Sequence, residues 1–409
     1  MSTIKPFRGV RPANEIAASV IAPPYDVLSE EEAREIAARY PSSFIRVTRS
    51  EVDMPIGSDA HSEAAYLGAK HRLLSFLEDG TMIQDTENCF YVYEQTWMGR
   101  TQYGLMAICD TEEYDNALIK KHELTRPDKE QDRTDHITIL EAQTGLVFLT
   151  YRNNNDSVKQ VMETAKKLSP LWSVTTEDGV THVLRKISDQ GLISNIENAF
   201  CSIPALYIAD GHHRSAAASR VAKLDIPKKS SRYFLAGIFP DNELYVMAYN
   251  RMVQDLNGLR PEVFLAKINE KFSVTPDVNP IPQKRGYYTM YFQGRWYGLE
   301  IKNELRQALI PNDPVGILDV SVLQNQILSP ILGIENPRTD KRIEFVGGIR
   351  GSEFLSQAVD NGRMAVAFHM YPTGIDQLLD VADADALMPP KSTWFEPKLR
   401  GGVLVHQFE

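Results

Sequence analysis

The chain has 409 residues, 43% hydrophobic and 24% charged, with 44 Lys and Arg against 54 Asp and Glu for a formal net charge of −10. That length exceeds the usual limit of one core, so two domains or one elaborated domain are expected. The acidic balance argues against a general nucleic-acid binder.

No apolar run is long enough to span a bilayer and the N-terminus lacks a signal-peptide core, so the expectation is a cytoplasmic enzyme with no membrane partner. Cys89, Cys109 and Cys201 are far apart and odd in number, which argues against a disulfide framework, and they offer no metal-ligand spacing.

Along the chain, Ala22-Pro23-Pro24-Tyr25-Asp26-Val27 reads as an extended loop, because two prolines do not suit a helix. The prolines would fix Tyr25 and Asp26, which are candidate substrate contacts or parts of a rigid turn. Ser29-Glu30-Glu31-Glu32 is a capping box for a helix to about residue 40, and a second helix is expected over 62–78. Residues 89–95 and 102–108 alternate as a hairpin around Met98-Gly99-Arg100.

The stretch 119–133 is dense in charge and leads into a helix expected over 132–142. A solvated loop is its plain reading. Lys121, His122, Glu123 and Thr125, however, gather acid, base and donor types, and Lys129 and Arg133 share a helix face if the helix begins early. Phosphoryl transfer needs cations on the moving group and a carboxylate for the proton or a metal. Glu123 is the candidate carboxylate; the others are phosphate-clamp candidates.

A strand over 145–151, a helix over 157–168, a hairpin of 171–176 with 180–185 and a helix over 189–200 deliver the chain to its most informative stretch. There an apolar run, Ala205-Leu206-Tyr207-Ile208-Ala209, meets Asp210-Gly211-His212-His213-Arg214 and then an alanine-rich helix. Strand, glycine turn and helix start bring backbone N–H groups and the positive end of a helix dipole to one point. Cationic residue types are disfavoured at a helix start, so two histidines and an arginine there point to a bound anion, most simply phosphate. The plainer reading is an Asp210 N-cap accepting from the His213 N–H, with a solvated first turn.

These residues resemble the signature box of the ParB/sulfiredoxin-like superfamily, nearest to the archaeal free-serine kinases; ParB partition proteins carry a related Gly-Glu-Arg-Arg box. With Pro23-Pro24-Tyr25-Asp26-Val27, Lys121-His122-Glu123-Leu124-Thr125 and Met388-Pro389-Pro390-Lys391-Ser392-Thr393, the chain also resembles a large bacterial family of unassigned function. The resemblance implies an α/β fold with mixed sheets, a ParB/sulfiredoxin-like core elaborated by further strands and helices, and nucleotide or phosphate binding at the box. By resemblance only, it also implies ATP or ADP with Mg2+.

Beyond the box helix, strands are expected at 233–239 and 244–250 around Pro240-Asp241-Asn242, the second carrying Arg251 at its exit, either a further anion contact or a surface arginine. A helix over 261–272, a hairpin of 287–292 with 295–301, a helix over 320–328, a strand over 364–370 and a helix over 375–382 come next. The proline-braced loop 388–398 carries Lys391 and Ser392 and is expected to return to the box. The expected domains are a 1–144 region contributing site loops, a 145–255 box module, and a 256–409 module with a returning loop.

The function these features favour is phosphoryl transfer to or from a small hydroxylated metabolite, serine kinase-like or phosphoserine phosphatase-like. Its catalytic candidates are Asp210, Glu123 and His213. Its anion-binding candidates are Gly211, His212, Arg214, Lys121, His122, Thr125, Lys129, Arg133, Arg251, Lys391 and Ser392. A ParB-type nucleotide switch without turnover is the alternative. Neighbouring histidines point apart on a helix and no His-Glu-x-x-His spacing exists, so no metal ligands are assigned.

Overall fold

The computed structural model describes residues 2–224, 226, 228–309 and 312–409. It is a mixed α/β structure with several sheets, divided into two compact units: Met1–Leu244 with Pro397–Glu409, and Tyr245–Glu396.

Nine strands among the described residues form the main sheet of the first unit. In spatial order they are Ile119–Lys120, Leu206–Asp210, Val147–Tyr151, Tyr233–Pro240, Arg100–Asp110, Phe90–Trp97, Thr181–Ile187 and Pro170–Thr175, with Ile4–Lys5 also pairing on Arg100–Asp110. Leu206–Asp210 runs parallel to Ile119–Lys120 and antiparallel to Val147–Tyr151. The amphipathic helices Asp156–Ala165 and Gln190–Phe200 bury Val158, Met162, Ile193 and Ile196 in one core with Leu206, Ile208, Val147 and Leu149.

The helix after the box, His212–Ala222, explains the alanine run. Its Ala218 lies in the sheet core, while Ala217 and Val221 pack with Ile137 of helix Pro127–Leu140 and with Phe408. Side chains that small let the helix approach two layers at once. The capping-box helix Glu30–Arg39 and the helix Glu63–Glu78, capped by Ser62, form as the sequence predicts.

Two expectations are corrected. The charged helix begins at Pro127, not near Asp132: Pro127 occupies the first helical turn, where its missing N–H costs nothing and its fixed φ favours the helix. The run 244–250 is not one strand: Leu244 belongs to the first unit, and the rest falls into two strands of the second. Tyr233–Pro240 already has both edges taken by Arg100–Asp110 and Val147–Tyr151, so the next segment must pair elsewhere. Tyr245–Met247 pairs with Trp394–Glu396, and Tyr249–Val253 enters a six-stranded antiparallel sheet between Ile343–Gly347 and Val366–His369.

The hairpin Tyr287–Phe292 and Arg295–Ile301 completes that sheet with Phe272–Pro276. The C-terminal residues return to the first unit: Gly401 bridges Ala22, Val405 bridges Val10, and His406–Gln407 pairs with Ala142–Gln143.

Candidate functional site

The parallel register Leu206↔Ile119 and Tyr207↔Lys120 decides where the site lies. Two strands running side by side in one direction release their next segments from the same edge, so the 121–126 loop and the Asp210–Arg214 turn emerge together. Ligands of open α/β sheets gather at such carboxyl ends. Gly211 is the helix N-cap at φ 100, a left-handed conformation that favours glycine, and no side chain caps the helix. The first bond back from the helix runs from Ser215 N–H to the Gly211 carbonyl at 3.0 Å, leaving the His212, His213 and Arg214 amides ahead of it.

Asp210 is therefore not the helix cap of the plainer reading. Its carboxylate accepts from the Gly211 N–H at 2.8 Å and meets the Lys398 ammonium at 3.3 Å and the Arg214 guanidinium at 3.8 Å. Burial alone would raise this carboxyl, but Lys398 and Arg214 outweigh it and hold Asp210 well below the usual carboxylate range. Arg214 folds back across the turn, donating to the Leu146 carbonyl. A methyl group on Gly211 would lie 3.1 Å from its Nε, and one on Gly145 would lie 3.2 Å from its Cδ. Two glycines thus leave room for one arginine.

The histidines take separate places. His212 is 6% exposed and His122 only 2%. Their rings meet edge to face, centroids 4.5 Å apart at 89°. Buried polar atoms are nearly always hydrogen-bonded, yet His122 Nδ1 and His212 Nε2 have no partner. Burial pushes His122 down to about 4 and His212 well below its ordinary value, so both rings are neutral at neutral pH. Desolvation keeps both rings neutral well below the ordinary histidine range, so they do not conflict with the helix dipole. The positive charge at the turn belongs to Arg214 and Lys398. His213 is half-buried, and its Nε2 accepts from the Arg126 N–H at 3.0 Å, which places the proton of the neutral ring on Nδ1.

A second layer holds the Pro-Pro-Tyr-Asp loop beside these groups. Arg49 donates to the Tyr25 and Leu28 carbonyls at 3.1 and 2.9 Å. The Arg133 guanidinium lies 4.3 Å from the Tyr25 ring centroid, a cation–π contact. Burial raises the Tyr25 hydroxyl, while Arg133 and Arg214 act on it from within electrostatic reach. Arg133 is itself paired with Asp132 at 2.7 Å, and Asp132 also receives the Tyr66 hydroxyl at 2.7 Å and meets His61 Nδ1 at 2.6 Å.

Lys121, Thr125, Lys129 and Asp26 do not join this group. Lys121 lies over the Tyr114 ring at 5.2 Å, Thr125 donates to Glu130 at 2.8 Å, and Lys129 and Asp26 are exposed. Glu123 is half-buried in the 121–126 loop. Arg251, Lys391 and Ser392 belong to the second unit. Lys398 is the residue that sequence reasoning missed: it ends the proline-braced loop expected to return to the box, in which Lys391 and Ser392 look the more prominent anion ligands.

Uncapped amides and two cations fit phosphate oxygens. The donor set does not fit a protein-held Mg2+, since no group of three or more His, Cys, Asp or Glu among the described residues is placed to hold a metal and Asp210 is engaged by cations. No helix among the described residues is long and apolar enough to cross a membrane.

Residues 4–321 match a family described as a protein of unknown function, DUF1015, and the chain belongs to that family. No curated protein matches it. Among solved structures it is similar to a free serine kinase in complex with AMP, at 11% identity and a TM-score of 0.35, covering 71% of this chain and 86% of that one. It is also similar to SbnI with a C-terminal truncation from Staphylococcus aureus, at 10% identity and a TM-score of 0.40, covering 72% and 84%. A conserved hypothetical protein from Pyrococcus furiosus shares 11% identity at a TM-score of 0.31, covering 71% and 90%.

Proposed function

We propose that this DUF1015 member is a phosphoryl-transfer enzyme acting on a small hydroxylated metabolite, with a nucleotide phosphate held at the Asp210–Arg214 turn. The observation that carries the reading is the uncapped helix start at Gly211, bordered by the cations of Arg214 and Lys398. Preorganised donors of this kind stabilise charge that develops on phosphoryl oxygens.

A bound ATP would supply the phosphoryl group. The amides of His212, His213 and Arg214 orient its oxygens, and the Arg214 and Lys398 cations offset their charge. Asp210, held ionised, is too weak a base to keep a proton and instead positions Lys398. Glu123, on the adjoining loop, takes the proton of the acceptor hydroxyl as its oxygen bonds to phosphorus and the bond to the departing nucleoside diphosphate breaks. His122 and His212, kept neutral, fill the floor and exclude water. Tyr25, held by Arg49 and Arg133, is the contact for the acceptor.

The test is incubation with radiolabelled ATP and a panel of hydroxy amino acids, alongside a thermal-shift screen with nucleotides. Label should pass to one acceptor, and Lys398→Met should weaken nucleotide binding on the order of tenfold or more while the melting temperature moves little. Nucleotide binding without transfer in either direction would replace this reading with the ParB-type switch.

A further inference from the structure

Among the described residues four arginines are buried: Arg11, Arg133, Arg251 and Arg400. Three have a carboxylate. Arg11 pairs with Asp85 at 3.0 Å, Arg133 with Asp132 at 2.7 Å, and Arg400 with Asp178. Arg251, the deepest at 2% exposed, has none among the described residues. Its guanidinium donates to the Tyr249 carbonyl and, at 3.1 Å, to that of Lys391, and it lies 5.3 Å from the Phe345 ring centroid.

Taking a charge out of water without a counter-ion is costly, and carbonyl dipoles with one ring face offset only part of that cost. Burial lowers the guanidinium to about 10, so it remains charged at neutral pH. A second cation lies close by. Tyr249 is on the same strand face two residues earlier, and the Lys391 ammonium sits 5.7 Å from its ring centroid. Lys391 is exposed, makes no ion pair among the described residues, and has a left-handed backbone at φ 58. Trp394 closes the wall, edge-on to Tyr249 at 5.2 Å.

We propose that Arg251 and Lys391 form an anion site within the second unit, taking a carboxylate or phosphate group of a small metabolite against the Tyr249–Trp394 wall. Its residues all belong to the second unit. The competing explanation is that Arg251 only braces the turn through the Lys391 carbonyl. That role uses backbone and would be indifferent to the Lys391 ammonium.

The experiment is titration of the full chain with inorganic phosphate and, separately, acetate, read on the Trp394 indole N–H resonance assigned by Trp394→Phe. One of the two anions should shift that resonance to saturation and so identify the class. Lys391→Asn keeps a residue type tolerant of left-handed backbone and should weaken the binding on the order of tenfold. An unmoved Trp394 resonance with both anions, or equal affinity in Lys391→Asn, would overturn the proposal.

Discussion

At the scale of single residues, the turn before the box helix is over-determined by Gly211. Its φ of 100 disfavours any side chain, and an added methyl would meet Arg214 Nε and Cζ at 3.1 and 3.2 Å. Gly211→Ala should therefore cost about 1–3 kcal/mol of stability, from backbone strain and a displaced guanidinium. It should also weaken phosphate binding, because Arg214 cannot keep both its Leu146 and Asp210 contacts while giving way. Urea denaturation and phosphate titration on the same variant check both halves. A variant as stable and as tight as the parent would show that the turn is not constrained. The histidines carry a related lesson. Their residue type suggests charge, but burial decides the protonation state, and burial is a property of the folded neighbourhood.

At the scale of elements, the box was legible because three local signals agree: an apolar run, a glycine and an alanine-rich helix. The hairpins and capped helices were legible for the same reason. The partner of the box strand was not, since Ile119–Lys120 has only two residues and shows no period. Its parallel pairing, which brings His122 to His212, is a long-range fact. Likewise, Lys129 and Arg133 could share a helix only if it began earlier than Asp132; it does, at Pro127, yet Arg133 is buried and Lys129 exposed, which spacing could not tell. Arg133 is fixed through Asp132, which also ties helix Pro127–Leu140 to Tyr66 of helix Glu63–Glu78. Burial would raise the Asp132 carboxyl, but Arg133 and the Tyr66 and His61 contacts outweigh it and lower it. Asp132→Asn leaves a buried guanidinium unpaired and should destabilise by about 3–5 kcal/mol. In a double-mutant cycle with Arg133→Met the two losses should be strongly non-additive; additive losses would mean that the pair does not act as one unit.

At the scale of the molecule, boundaries drawn along the chain near 144 and 255 cannot express that residues 397–409 rejoin the first unit, carrying Lys398 to the box and Val403, Val405 and Phe408 into buried positions. The units also differ in how they should meet acid. In the first, burial lowers His122 and His406 to about 4 and His136 and His182 to about 3, against an ordinary value of 6.5. A histidine whose folded value is depressed gives full stability above pH 6.5 and loses it as pH falls toward the folded value, because the unfolded chain takes up the proton first. Each such imidazole therefore withdraws stability as the pH falls through that window, and four of them act in the same direction. In the second unit His369, lowered to about 4, is opposed by Asp319, which burial raises to about 6 and whose contribution changes with the opposite sign. Hydrogen exchange followed by mass spectrometry between pH 7 and 4 should therefore show protection vanishing from Met1–Leu244 and Pro397–Glu409 while Tyr245–Glu396 persists. If both lose protection at one pH, or the second unit opens first, the buried neutral histidines do not govern the acid limit.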